Sequence, residues 1–115
     1  MNKHIERIER ILLAQGGLYT FEDVLAELTD GRAQSFSEGE STVITSIRDF
    51  PRKRVLELRV AVGELQDIYS LQPRIVAFAK ENGCELLLGS VGREGWGNFA
   101  TPGWDKVAST WIRRL

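Results

Sequence analysis

Few side chains in this sequence could carry covalent chemistry, and their spacing narrows the field quickly. There is one histidine, His4, and one cysteine, Cys84. A Ser-His-Asp or Cys-His system needs a histidine held beside its nucleophile, and His4 stands isolated in the N-terminal run MNKHIERIER. A structural zinc site draws four ligands from cysteine and histidine, so no metal is expected, and a lone cysteine closes no internal disulfide. Cys84 follows Gly83 and precedes the apolar run Leu86-Leu87-Leu88, which is the setting of a small buried hydrophobe rather than of a reactive thiol. The strongest candidate for proton transfer is Glu57, a carboxylate of the kind that deprotonates an amine nucleophile. Its structural alternative is an ion pair with Arg48 or Arg59 across a hairpin. The glycine-rich stretch Gly92-Arg93-Glu94-Gly95-Trp96-Gly97 lacks the Lys-Ser/Thr ending and the preceding strand of a nucleotide-binding loop. It is expected to be a tight connection with Trp96 over the sheet edge.

Charge excludes further classes. Fifteen basic residues face sixteen acidic ones, for a net charge of −1, so the molecule offers no general attraction to a polyanion, and nucleic acid is not an expected partner. Arg48, Arg52, Lys53, Arg54 and Arg59 form a local cluster, in which the turn Pro51-Arg52-Lys53-Arg54 reads as a solvated hairpin turn that keeps a sheet edge soluble, with contact to an acidic partner or a nucleic-acid phosphate as the alternative. No apolar run approaches the roughly 20 residues of a membrane span. The charged N-terminus has no hydrophobic core of a secretory signal, so a cytoplasmic location is expected, in keeping with a free thiol. A length of 115 residues predicts one domain over 1–115.

The elements that must position Glu57 follow from periodicity. Ile5, Ile8, Ile11 and Leu12 fall at helical spacing among charged residues, and Gly16-Gly17 end that helix. Thr20 and Asp23 form a capping box for a second helix with Val24, Leu25 and Leu28 as its apolar stripe, stopped at Asp30-Gly31. From Ala33 the period changes to that of strands, and Thr42 to Arg48 is β-branched and close to period two. Asp49-Phe50-Pro51-Arg52-Lys53 is a turn, and Arg54 to Val62 alternates, with Leu56, Leu58, Val60 and Val62 on one face and Glu57 and Arg59 on the other. The two strands predict an antiparallel hairpin. Leu65, Ile68, Leu71, Ile75, Phe78 and Ala79 mark a long helix that kinks or restarts at Pro73. Glu85 to Val91 is expected as a buried strand parallel to the second hairpin strand, and Val107 to Leu115 as a further strand with Trp111 in the core. The order, α α β β β α β (α) β, predicts an α/β (α+β) domain with a mixed, mostly antiparallel sheet of five or six strands, as is usual for sheets, and helices on both faces.

Several short stretches, in order, carry a resemblance that spans residue 17 to the end. They are Gly17-Leu18-Tyr19-Thr20 with Asp23-Val24, Gly31-Arg32-Ala33-Gln34, Phe50-Pro51-Arg52-Lys53-Arg54-Val55-Leu56, Ala61-Val62-Gly63, Gly83-Cys84, Gly92-Arg93-Glu94-Gly95-Trp96 and Gly103-Trp104. With the element order, they make the chain resemble the compact members of the GNAT family of N-acetyltransferases, in particular small GNAT-like proteins of tailed bacteriophages and prophages. The resemblance implies a GNAT-like fold with a cleft for acetyl-CoA between the strand ending at Val62 and the strand ending at Val91. Val60, Ala61, Val62 and Gly63 would then lie beside the pantetheine arm. The pyrophosphate would meet the N-terminus of the long helix, where free N–H groups and the dipole favour anions, and Glu57 would be the catalytic base.

The chain departs from the family pattern twice. Gly63-Glu64-Leu65-Gln66-Asp67-Ile68 stands where active members carry Gln/Arg-x-x-Gly-x-Gly/Ala, and it places two carboxylates where phosphate would sit. The stretch Gly92 to Phe99 offers Trp96 and Phe99 but no tyrosine to protonate the leaving thiolate; Tyr19 and Tyr69 lie elsewhere. The expectation is a catalytically degenerate GNAT-like protein that serves a phage or prophage as a virion, assembly or interaction component, with a phage structural or host protein as partner. The alternative is an N-acyltransferase that moves an acetyl group from acetyl-CoA to an amine.

Overall fold

The computed structural model of the chain describes residues 2–89, 104, 105, 107 and 111–115. Two helices, α1 (Asn2–Ala14) and α2 (Phe21–Thr29), lead into β1 (Ala33–Glu38), β2 (Ser41–Asp49) and β3 (Arg54–Val62). Then come the long helix α3 (Leu65–Glu81) and β4 (Leu86–Gly89). The strands lie side by side in the order β1-β2-β3-β4. The first two pairings are antiparallel and β3 pairs β4 in parallel. This is the α+β class expected: a mixed, mostly antiparallel sheet between helices, with four strands among the described residues.

Local chemistry explains the first boundaries. The Thr20 hydroxyl accepts from the Asp23 N–H at 3.2 Å, and the Asp23 carboxylate accepts from the Thr20 N–H at 2.9 Å, a complete capping box. The β2–β3 turn closes through a bond from Phe50 N–H to Lys53 O at 2.9 Å. Helix α3 runs through Pro73 as one element: it neither stops nor restarts there.

The sheet has a core on each face. Ile8, Leu12 and Val24 of α1 and α2 pack on Ala33, Ile44, Val60 and Val62. On the other face Ile68, Leu71, Ile75 and Ala79 of α3 pack on Val43, Leu56, Leu58 and Ala61, with the Phe36 and Phe78 rings meeting edge to face at 5.7 Å. The expected single face of Leu56, Leu58, Val60 and Val62 is therefore corrected. Ile44 faces Val60 while the next residue, Thr45, faces Leu58, so Arg59 is an extra residue, a β-bulge. Because side chains alternate with period two, one inserted residue hands the rest of β3 to the opposite layer. Leu56 and Leu58 serve α3, whereas Val60 and Val62 serve α1 and α2.

The C-terminal expectation is also corrected. Val107 and Trp111 to Leu115 lie in neither helix nor strand, and Trp111 is 90% exposed rather than a core residue. Ile112 rests beside Gly16 and Leu18, since a methyl built on Gly16 would lie 3.4 Å from Ile112 Cδ1. Trp104 is half-buried against the α3 core. Trp96, the stretch Gly92 to Phe99 and the end of the expected fourth-strand run at Val91 lie outside the described residues.

Candidate functional site

A cavity of about 640 Å³ opens on the α1–α2 face of the sheet, under the connection between those helices. Its lining includes Glu57, Arg59, Arg48 and Ser46 from the strands, Glu27 from α2 and Tyr19 from the connection. Register explains the grouping. Ser46 faces Glu57 directly and Arg48 faces Val55, so Ser46, Arg48 and Glu57 share one side of the hairpin. The bulge adds Arg59 beside them.

Glu57 thus stands on a cavity wall, where a base would be needed. It is also an ion-pair partner: Arg48 Nη1 donates to Glu57 Oε2 at 3.1 Å, and the Glu57 side chain is only 15% exposed. Arg48 in turn lies over the Phe50 ring, 5.0 Å from its centroid.

A second pair sits deeper. Arg59 donates from Nη1 and Nη2 to the two carboxylate oxygens of Glu27, with side-chain exposures of 10% and 14%. The Arg59 guanidinium carbon lies 4.6 Å from the Tyr19 ring centroid, a cation–π contact in a partly dry setting, and Gln15 Nε2 donates to Arg59 O at 3.0 Å. Helix α2 and both ends of the α1–α2 connection are tied to this one arginine. Glu27, Tyr19 and Ser46 were not singled out by sequence reasoning. The available signal was a change of pattern in β3, which alternates as far as Arg59 and then runs Val60-Ala61-Val62-Gly63 with no polar residue.

The basic cluster does not form one field. Arg48, Arg54 and Arg59 are each paired, Arg54 with both oxygens of Asp49 at 2.7 and 3.2 Å. That guanidinium holds the Asp49 carboxyl below its ordinary range through hydrogen bonds. Only Arg52 and Lys53, at the turn, stand without an ion pair among the described residues. Cys84 is half-buried against the α3 core, and burial pushes its thiol up, away from the thiolate that reactivity requires.

The four residues expected beside a pantetheine arm are buried and stand apart from the cavity lining. Val60 and Val62 point into the α1–α2 core and Ala61 into the α3 core, so what they could offer a ligand is backbone. Pairing between β3 and β4 runs from Val55↔Leu86 to Leu58↔Gly89. Among the described residues, the β4 side of Arg59 to Val62 has no strand partner.

The turn into α3 is closed by its own side chains. Gly63 has φ +117°, and a methyl there would lie 2.1 Å from Ser41 Oγ and 2.6 Å from Ser41 Cα, so only glycine fits. The fully buried Ser41 hydroxyl accepts from the Glu64 N–H at 2.9 Å and donates to Asp67 Oδ2 at 2.8 Å. The first turn of α3 therefore holds a carboxylate of the chain itself. Among the described residues no cluster of three metal-ligating side chains occurs, and no helix is long and apolar enough to cross a membrane.

Set against protein-family models, curated proteins and solved structures, the chain matches none of them.

Proposed function

We propose that this chain is a GNAT-like domain that has given up acyl transfer and serves a tailed phage or prophage as an interaction component, in the virion or its assembly, within the host cytoplasm. The phage setting rests on the resemblance of the sequence stretches from Gly17 to Trp104. The loss of catalysis is carried by one observation, the Ser41–Asp67 clasp at the start of α3. An incoming pyrophosphate seeks the unpaired N–H groups and positive end of a helix dipole. Here the Glu64 N–H is bonded to Ser41, and Asp67 brings negative charge to the same turn.

The test is thermal unfolding with and without acetyl-CoA at about a millimolar. No shift is expected. A site with a dissociation constant a hundredfold below the ligand concentration would add about 2.7 kcal/mol by mass action, and such a shift would overturn the proposal. The second reading, N-acyl transfer to an amine, draws its support from Glu57 on the cavity wall. It requires acetyl-CoA binding and turnover that Glu57→Gln lowers by about 10²-fold or more.

A further inference from the structure

The cavity beneath the α1–α2 connection holds donors that the fold leaves unused. Ser46 is 8% exposed, lines the cavity, and its hydroxyl has no hydrogen-bond partner among the described residues. A hydroxyl that faces a cavity and bonds to none of the described residues can bond to whatever fills the cavity. Beside it, Arg48 uses Nη1 on Glu57, and Arg59 uses Nη1 and Nη2 on Glu27. The other N–H groups of both guanidinium forks are unspent. Arg32 adds a third guanidinium on the exposed rim, paired with Asp30 through Nε and Nη2. The carboxylates on the wall, Glu27 and Glu57, each already accept from an arginine. Leu12, Leu18 and the Tyr19 ring supply the apolar part of the lining.

We infer that the cavity is a receptor for a carboxylate carried on an apolar stem, bound by Ser46 Oγ and the free N–H groups of Arg48 and Arg59. The stem lies against Leu18 and Tyr19. Under the non-catalytic reading, on which the identity of the ligand's owner rests, the carboxylate belongs to an acidic side chain or chain end of a partner protein. An acyl acceptor would be an amine and carry the opposite charge, so the two readings separate on charge alone.

The experiment titrates ¹⁵N-labelled full chain with hexanoate, hexylamine and hexanol, followed by amide and guanidinium NMR shifts. Hexanoate is expected to give saturable shifts at Ser46, Arg48 and Arg59. Ser46→Ala should weaken it about tenfold, as loss of one hydrogen bond to a charged group does; Arg32→Gln, on the exposed rim, should weaken it less. Hexylamine binding in preference to hexanoate overturns the inference, as does hexanoate binding that neither variant changes. A blocked pentapeptide with a central glutamate between leucines should compete with hexanoate where its glutamine counterpart does not. Hexanoate binding without peptide binding overturns the protein partner and assigns a free small acid. Because the acetyl-CoA melt reads the α3 turn and this titration reads the opposite face, failure of one is distinguishable from failure of the other.

Discussion

Ser41 fills the space that a side chain at Gly63 would need, and that packing fixes the turn from β3 into α3. A side chain at Gly63 meets two obstacles, a positive φ and the Ser41 backbone. Gly63→Ala is expected to cost more than about 2 kcal/mol in urea denaturation, from strain at a glycine-only conformation plus the collision. Ser41→Gly added to it should fail to rescue, because the contact with Ser41 Cα at 2.6 Å remains. The Arg59–Glu27 pair behaves differently from the surface pairs. With both side chains largely out of water, Glu27→Ala leaves a buried cation and should cost about 3 kcal/mol. Asp49→Ala, which opens the exposed pair with Arg54, should leave the melting temperature unchanged within error, as exposed pairs contribute little.

Helix α3 carries Pro73 at an exposed position in its interior, where the missing N–H and the ring both oppose the helix. Pro73→Ala should raise stability by about 1 kcal/mol or more, read from the denaturant midpoint at constant slope. Helix α2 should be acid-sensitive at its start. Hydrogen bonds from the Thr20 backbone and hydroxyl hold the Asp23 carboxyl below its ordinary 3.8. A folded value below the unfolded one gives stability that is full above the unfolded value and lost as pH falls through the folded one. The denaturant midpoint should therefore drop as pH is lowered below about 4, and Asp23→Asn should flatten that slope. This cap was legible in the sequence because all its partners lie within three residues. The bulge in β3 was not, because the partner of its extra residue lies far along the chain: Arg59 meets Glu27 thirty-two residues away. Leu56, Leu58, Val60 and Val62 keep period two, so period alone assigns them to one layer, and only the loss of the alternating polar residue after Arg59 marks the change. Glu57 was legible as a carboxylate on a central strand. The cavity was not, because it needs the α1–α2 connection to arch over that strand. Trp111 misled because a large aromatic at an alternating position reads as core, while nothing local says whether the strand finds a neighbour.

At the scale of the whole molecule, a sheet with a helical layer on each face makes the central hairpin the common support for both cores. The α3 core joins elements that follow one another in the chain, but the α1–α2 core does not. Ile8, Leu12 and Val24 find their cover on Val60 and Val62, residues about fifty and thirty-six positions later. The β2–β3 hairpin closes across a short turn, whereas α1 must wait for β3 before it has a surface to cover. Loop closure over that distance carries its entropy cost before any contact offsets it. On a ribosome, which feeds the chain N-terminus first, the apolar stripes of α1 and α2 therefore emerge bare and stay so until Val62 has cleared the exit. A nascent chain halted before Arg54 should bind a hydrophobic dye or a holdase chaperone through Ile8, Leu12 and Val24, and one halted after Gly63 has the strand that ends that exposure. The extra residue at Arg59, by turning Val60 and Val62 toward the helices made first, sets the moment in synthesis at which this protein stops being a client and starts being a fold.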